Sequence, residues 1–191
     1  MVPERVLFVG DSSRWSELAT DCLRNTFDDV DAIFWDYGDE KPDRIKTWFG
    51  DRIFCFKADL VLDRHILERA SKTAINFHPS TPEYRGIGGY DYVIHENGSE
   101  FGVTCHHMTP QIDAGQIIDV QRFPVSPWES VASLRERTAA HCLLMFYNIV
   151  HLIRIGAELP ESAEMWGPKL YTRAMLEEFY RTRSLPGQAA V

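Results

Sequence analysis

Between Arg5 and Phe77 the chain alternates four short apolar runs with three helical ones, a pattern few folds accept. The apolar runs are Arg5–Gly10, Val30–Trp35, Arg52–Phe56 and Thr73–Phe77. Between them, Trp15–Phe27 carries Trp15, Leu18, Ala19, Cys22 and Leu23 at helical spacing. Pro42–Phe49 reads as a short helix with proline in its first turn, where a missing donor costs nothing, and Asp63–Ala70 as another. Gly10-Asp11-Ser12-Ser13 supplies the turn and the cap candidates for the first helix. Alternating strand and helix predicts an α/β fold: a parallel sheet covered on both faces.

After His78 the pattern changes. Pro79–Gly89 is a loop punctuated by proline and glycine, and Tyr90–His95 is a helical turn or two. Gly102–Met108 and Gln116–Phe123 are strand-like and are joined by the polar turn Thr109–Gly115. Strands this close in sequence pair antiparallel, so the sheet is expected to be mixed at its far edge. Ser126-Pro127-Trp128-Glu129 leads into one long C-terminal helix reaching about Ile155, with Val131, Leu134, Cys142, Met145, Ile149 and Leu152 on one side. We expect a single domain over residues 1–183 and a frayed tail over 184–191.

The balance of charge narrows the partners. Formal net charge is -8 and no block of Lys or Arg offsets it, so a nucleic-acid partner held through phosphates is disfavoured. The cluster Lys169, Arg173, Arg181 and Arg183 reads as a solvated helix face or a local phosphate contact. The N-terminus lacks a basic-then-apolar signal layout, and the apolar run Cys142–Tyr147 is too short to cross a bilayer. Four cysteines without a Cys-x-x-Cys pair suit reduced, buried thiols, which points to a cytoplasmic protein.

Asn76 and His78 stand two residues apart at the end of the fourth apolar run, so in a strand both side chains share a face. The carboxyl ends of parallel strands open the crevice where α/β proteins bind ligands. Asp113 sits in the turn that can fold back over that crevice. An amide to hold an oxyanion, an imidazole to carry protons and a carboxylate to charge it would suit acyl transfer. Two other motifs fail. Gly10 stands alone where a dinucleotide site needs three glycines. In Cys105-His106-His107 the strand alternation sends His106 away from its neighbours, leaving too few ligands for zinc, so no metal is expected. One of the three is left to line a pocket.

Ile75-Asn76-Phe77-His78-Pro79-Ser80, Pro82-Glu83-Tyr84-Arg85-Gly86, Phe101-Gly102-Val103-Thr104 and Ile112-Asp113-Ala114-Gly115-Gln116-Ile117-Ile118 together resemble the formyltransferases that use 10-formyltetrahydrofolate. The resemblance covers about residues 50–125 and implies a Rossmann-like formyltransferase fold without a nicotinamide cofactor. It makes Asn76, His78 and Asp113 the catalytic residues. It assigns Phe56, Lys57, Ala58, Leu60, Leu62, Ile112 and Asp113 to the folate co-substrate, with the backbone of residues 56–62 gripping the pterin ring. Ser80, Arg85, Gly86 and Tyr90 fall to the acceptor. The chain departs from the family where Ser80-Thr81-Pro82 shortens the loop after the histidine and where Lys57-Ala58-Asp59 replaces aromatic or glycine-rich residues.

Within that resemblance the acceptor is a primary amine on a small molecule. Branches acting on methionyl-tRNA carry a further C-terminal domain and a basic surface, which an acidic chain of this length does not suit. The first loop lacks the glycines of the glycinamide-ribonucleotide branch. Tyr84-Arg85-Gly86-Ile87-Gly88-Gly89-Tyr90-Asp91 is more like the branch that formylates nucleotide-linked amino sugars, and the compact length is like that of aminoacyl formylation domains. A formate-releasing hydrolase and a non-catalytic folate-binding module stay open as alternatives. An acidic chain with an exposed C-terminal helix is also compatible with a homodimer.

Overall fold

The computed structural model describes residues 1–184. Six strands form one sheet in the order β2-β1-β3-β4-β6-β7. They are β1 (Val2–Gly10), β2 (Phe27–Phe34), β3 (Gly50–Phe56), β4 (Ala70–His78), β6 (Glu100–His107) and β7 (Ile117–Pro124). The first four run parallel, while β6 pairs antiparallel with β4 and β7 antiparallel with β6. The mixed sheet with its antiparallel edge is the arrangement the sequence predicts. A second, two-stranded sheet pairs β5 (Arg85–Gly86) with β8 (Leu170–Tyr171), and nothing in the apolar pattern announced it.

Side-chain alternation gives the sheet two different faces. On one face Val6 and Phe8, Phe54 and Phe56, Ile75 and Phe77 pack under α1 (Arg14–Arg24) and α4 (Val131–Arg154). Phe146 of α4 is the centre of that layer, its ring 4.8 Å from Phe77, 5.6 Å from Phe56, 5.9 Å from Phe54 and 6.2 Å from Phe8. On the other face Leu7, Val9, Ile53 and Cys55 meet Trp35, Ile45, Trp48 and the loop residues Leu60 and Leu62. Asn76 and His78 belong to this second face by alternation with Ile75 and Phe77.

Several expected elements shift. The first helix stops at Arg24, and Phe27 opens β2 instead, buried against Phe54. The helix expected over Pro42–Phe49 is one 3-10 turn, Asp43–Lys46, and that over Asp63–Ala70 is α2 (Arg64–Leu67), capped by Asp63 through the Ile66 amide. Ala70 already belongs to β4. In α4 the expected Val131 and Leu152 are only half-buried, because the buried stripe runs through Leu143, Phe146 and Val150. That helix starts from a capping box at Ser130 and Ser133, directly after the lead-in Ser126–Glu129, and Trp128 before it is 90% exposed. The turn after the proline loop is α3 (Gly89–His95), and the chain re-enters helix at α5 (Arg173–Ser184). Ser184 closes α5, and the rest of the expected tail lies outside the described residues. Among the described residues no helix is long and apolar enough to cross a membrane.

Candidate active site

The register between β4 and β6 decides the site. Asn76 stands opposite His106, and residues directly opposite in a ladder share a face. His106 therefore joins Asn76 and His78, while His107 turns to the other face and meets Thr73, its Nδ1 3.2 Å from Thr73 Oγ1. The carboxylate completing the group comes from the β6–β7 turn. Asp113 holds a left-handed backbone with φ of 43°, an unusual conformation for a side chain with a Cβ. Gly115 makes the turn's approach to β6 feasible. A Cβ there would fall 1.7 Å from the His107 carbonyl oxygen.

Asp113 is 7% exposed and uses both carboxylate oxygens. Its Oδ1 lies 3.2 Å from His106 Nε2 and accepts from Asn76 Nδ2 at 3.4 Å. Its Oδ2 lies 3.5 Å from His78 Nδ1 and accepts from the Gly86 amide at 2.9 Å. Burial alone would raise the Asp113 pKa. The charges of His78 and His106 and the hydrogen bonds from His106 and Gly86 outweigh it and hold the carboxyl well below its usual range.

His78 is 5% exposed, and its Nε2 lies 3.1 Å from the Tyr84 carbonyl oxygen. Both ring nitrogens of His78 thus face acceptors, one a carbonyl and the other a carboxylate. His106 Nδ1 points at the His107 carbonyl oxygen at 2.8 Å, and its Nε2 is 3.1 Å from Asn76 Nδ2. Trp166 stacks edge-on against both imidazoles, at 4.9 Å from His106 and 5.9 Å from His78, and its indole N–H donates to the Gly115 carbonyl at 2.7 Å.

Two cavities meet at this group. One, of about 250 Å³, is lined by the segment after β3, including Lys57, Ala58, Leu60 and Leu62, and by Asn76, His106, Ile112 and Asp113. The other, of about 360 Å³, is lined by Asp11, Tyr37, Ser80, Tyr90, Asp91 and Arg135 among others. His78, Pro79 and Gly86 belong to both. Lys57 also lines both, in a left-handed backbone with φ of 52° that carries its side chain across to Asp11. The ammonium lies 2.6 Å from Asp11 Oδ2, and Asp11 Oδ1 accepts from Ser16 Oγ at 2.6 Å and Ser13 Oγ at 2.5 Å. Burial raises the Asp11 pKa, but the Lys57 charge and these bonds bring it below the ordinary value.

Two of the expected positions behave differently. The Phe56 side chain is fully buried in the α4-facing core and lines neither cavity, because alternation sends it to the opposite face from Cys55. Arg85 lines neither cavity; it braces the Asp113 turn, donating to the Ile112 carbonyl at 2.9 Å and the Gly167 carbonyl at 3.5 Å. Gly86, between the two groups, has φ of +89°, and a Cβ there would meet the Tyr171 carbonyl oxygen at 2.2 Å. The β5–β8 pairing therefore needs glycine at the residue whose amide holds Asp113.

A family model described as formyl transferase matches residues 39–146. The chain belongs to the formyl transferase family. That match spans the segment after β3, the Asn76–His78 strand end and the Asp113 turn. Solved structures carry the fold of this formyl transferase further along the chain. An N-formyltransferase from Helicobacter canadensis, in complex with folinic acid and dTDP-3-aminofucose, is 19% identical with a TM-score of 0.72, over 92% of this chain and 72% of its own. The formyltransferase PseJ from Anoxybacillus kamchatkensis, in complex with a UDP-linked formamido sugar and tetrahydrofolate, is 21% identical with a TM-score of 0.71, over 95% of this chain and 93% of its own. A sugar N-formyltransferase from a Shewanella species is 14% identical with a TM-score of 0.71, over 98% of this chain and 83% of its own. Identities this low speak for the shared formyltransferase fold.

Proposed function

We propose that this formyl transferase moves a formyl group from 10-formyltetrahydrofolate to the primary amine of a small molecule, with a nucleotide-linked amino sugar as the acceptor. The observation that carries this reading is the junction of two cavities at His78, beside the Asn76–His106–Asp113 group. The first cavity offers an apolar slot of Leu60, Leu62 and Ile112 walled by backbone, which suits a flat pterin with polar edges. The second is more polar. Arg135 lies over the Tyr90 ring at 5.4 Å and Arg173 over the exposed Tyr37 ring at 3.6 Å, supplying cations for a nucleotide's phosphates. The four free cysteines are in keeping with a reducing, cytoplasmic setting.

In this reading the amine attacks the formyl carbon where the cavities meet. The formyl oxygen gathers negative charge and takes hydrogen bonds from the Asn76 amide and from His78 Nε2, which exchanges its contact with the Tyr84 carbonyl for the substrate. Each such donor contributes about 3–4 kcal/mol to comparable acyl transfers. Asp113 holds the His78 ring charged and oriented, and relays the amine's proton through water as tetrahydrofolate leaves. His106 Nε2 donates to the other carboxylate oxygen of Asp113 and so fixes the carboxylate beside the Asn76 amide.

The experiment mixes the protein with 10-formyltetrahydrofolate and follows tetrahydrofolate release by absorbance. Acceptors are dTDP-3-aminofucose, other amino-sugar nucleotides, glycinamide ribonucleotide and free amino acids. Release that requires an amino-sugar nucleotide is the expected result. Release without any amine would assign a hydrolase instead, and folate binding without release would leave a binding module.

A further inference from the structure

Residues 157–169 carry no regular structure, yet the segment is tied down on both sides of Trp166. The Ser162 amide donates to the Ile117 carbonyl at 3.0 Å, and the Gly167 amide to the Pro82 carbonyl at 2.9 Å. Between them, Glu164 pairs with Arg122 of β7. Gly167 lets the chain lie flat on the proline loop, since a Cβ there would fall 3.1 Å from the Glu83 carbonyl oxygen. The segment is thus a strap from the start of β7 to the proline loop, and it runs on into β8, whose pairing sets Gly86 against Asp113.

Trp166 is the residue this strap turns inward. Met165 before it is 83% exposed, whereas Trp166 is half-buried against the imidazoles of His106 and His78. It joins none of the apolar clusters that pack the sheet among the described residues, so core burial does not account for it. It lines neither cavity, so it is not placed to meet a substrate in either. What it covers is the histidine pair, whose side chains are only 6% and 3% exposed. Its indole N–H is committed to the Gly115 carbonyl, which fixes the ring to the turn that carries Asp113. Water reaching these imidazoles would compete for the carboxylate and weaken both contacts. A ring locked by packing also locks its neighbours' rotamers, and a catalytic group displaced by a fraction of an ångström loses rate.

We propose that Trp166 is a positioning residue: from outside both cavities its ring excludes water from His78 and His106 and holds the two imidazoles against Asp113. The kinetic consequence rests on the formyl-transfer reading, while the exclusion of water rests on the geometry of the free protein alone.

The test compares Trp166→Ala and Trp166→Phe with the unaltered protein in two experiments. In the first, without substrates, the ring N–H protons of His78 and His106 are followed by NMR on protein labelled with nitrogen-15 at histidine. They are expected to exchange slowly with water in the unaltered protein and in Trp166→Phe, and too fast to be seen in Trp166→Ala. Equal behaviour in all three would overturn the proposal. In the second, folinic acid binding counts intact sites, and kcat and KM are measured with 10-formyltetrahydrofolate and dTDP-3-aminofucose. Trp166→Ala is expected to lower kcat per folinic acid site at least about tenfold with both KM values within about twofold, and Trp166→Phe to recover most of the rate. A residue that only stabilised the fold would reduce the number of sites and leave kcat per site normal, and that result would overturn the proposal. A Trp166→Ala protein that does not fold is replaced by Trp166→Leu, for which the same outcomes hold. If the unaltered protein uses no amine, the formyl-transfer reading fails, and the NMR comparison alone decides whether Trp166 seals the histidines.

Discussion

Asp113 is the residue on which the others depend, because its two oxygens reach His78, His106, Asn76 and Gly86 at once. Changing it to Asn keeps the shape and removes the charge. We expect Asp113→Asn and His78→Ala each to lower turnover at least about a hundredfold, in line with acid–base contributions elsewhere, with kcat rather than folate affinity carrying the loss. Stopped assays on the purified variants check this, and near-normal rates in both would remove the assigned roles. The shared face of Asn76 and His78 was legible in the sequence from strand alternation, and the glycine-bounded turn marked where Asp113 could fold back, while their catalytic roles follow from the family resemblance. His106 was not assigned, although its cluster stood out, since its place beside Asn76 depends on the β4–β6 register. Trp166 left no signal at all. It lies 51 residues from the carbonyl it binds, in a segment without regular structure.

At the scale of elements, the site is held by two long-range ties. The Lys57–Asp11 ion pair joins the segment after β3 to the end of β1, with the Lys57 side chain only 8% exposed. Lys57→Met removes a charge-assisted bond and leaves Asp11 without its cation, so we expect a loss of about 1.5–3 kcal/mol in denaturant unfolding. The other tie is the β5–β8 pairing, which sets Gly86 against Asp113. Strands of two residues have no period for a sequence to display, and this pairing stayed hidden for that reason. The main sheet was legible because its strands alternate cleanly between two buried faces. Element ends were less so: Phe27 carries an apolar side chain that suits either the end of α1 or the start of β2, and packing on Phe54 decides. In α4 the expected Leu134, Cys142, Met145 and Ile149 are buried, and Phe146, left out of that reading, centres the layer through its contacts with four sheet phenylalanines. Phe146→Ala should cost about 3–5 kcal/mol, read from chemical denaturation.

For the whole molecule, the charged site links stability to pH. The Asp113 carboxyl is held below its unfolded value of about 3.9, so the stability it contributes is present above that pH and is lost as pH falls below it. Unfolding midpoints between about pH 5 and pH 3 should therefore fall more steeply in the unaltered protein than in Asp113→Asn, which has no carboxylate to protonate there. Equal slopes would show that Asp113 is not charged against the two histidines. The central claim is that a formyl group crosses from one cavity to the other at His78. The most direct measurement gives the protein 10-formyltetrahydrofolate labelled with carbon-13 in the formyl group and an amino-sugar nucleotide, and locates the label by NMR. Label in a formamide on the sugar, absent with Asp113→Asn, is the predicted result. Label recovered only as free formate, or left on the folate, would contradict it.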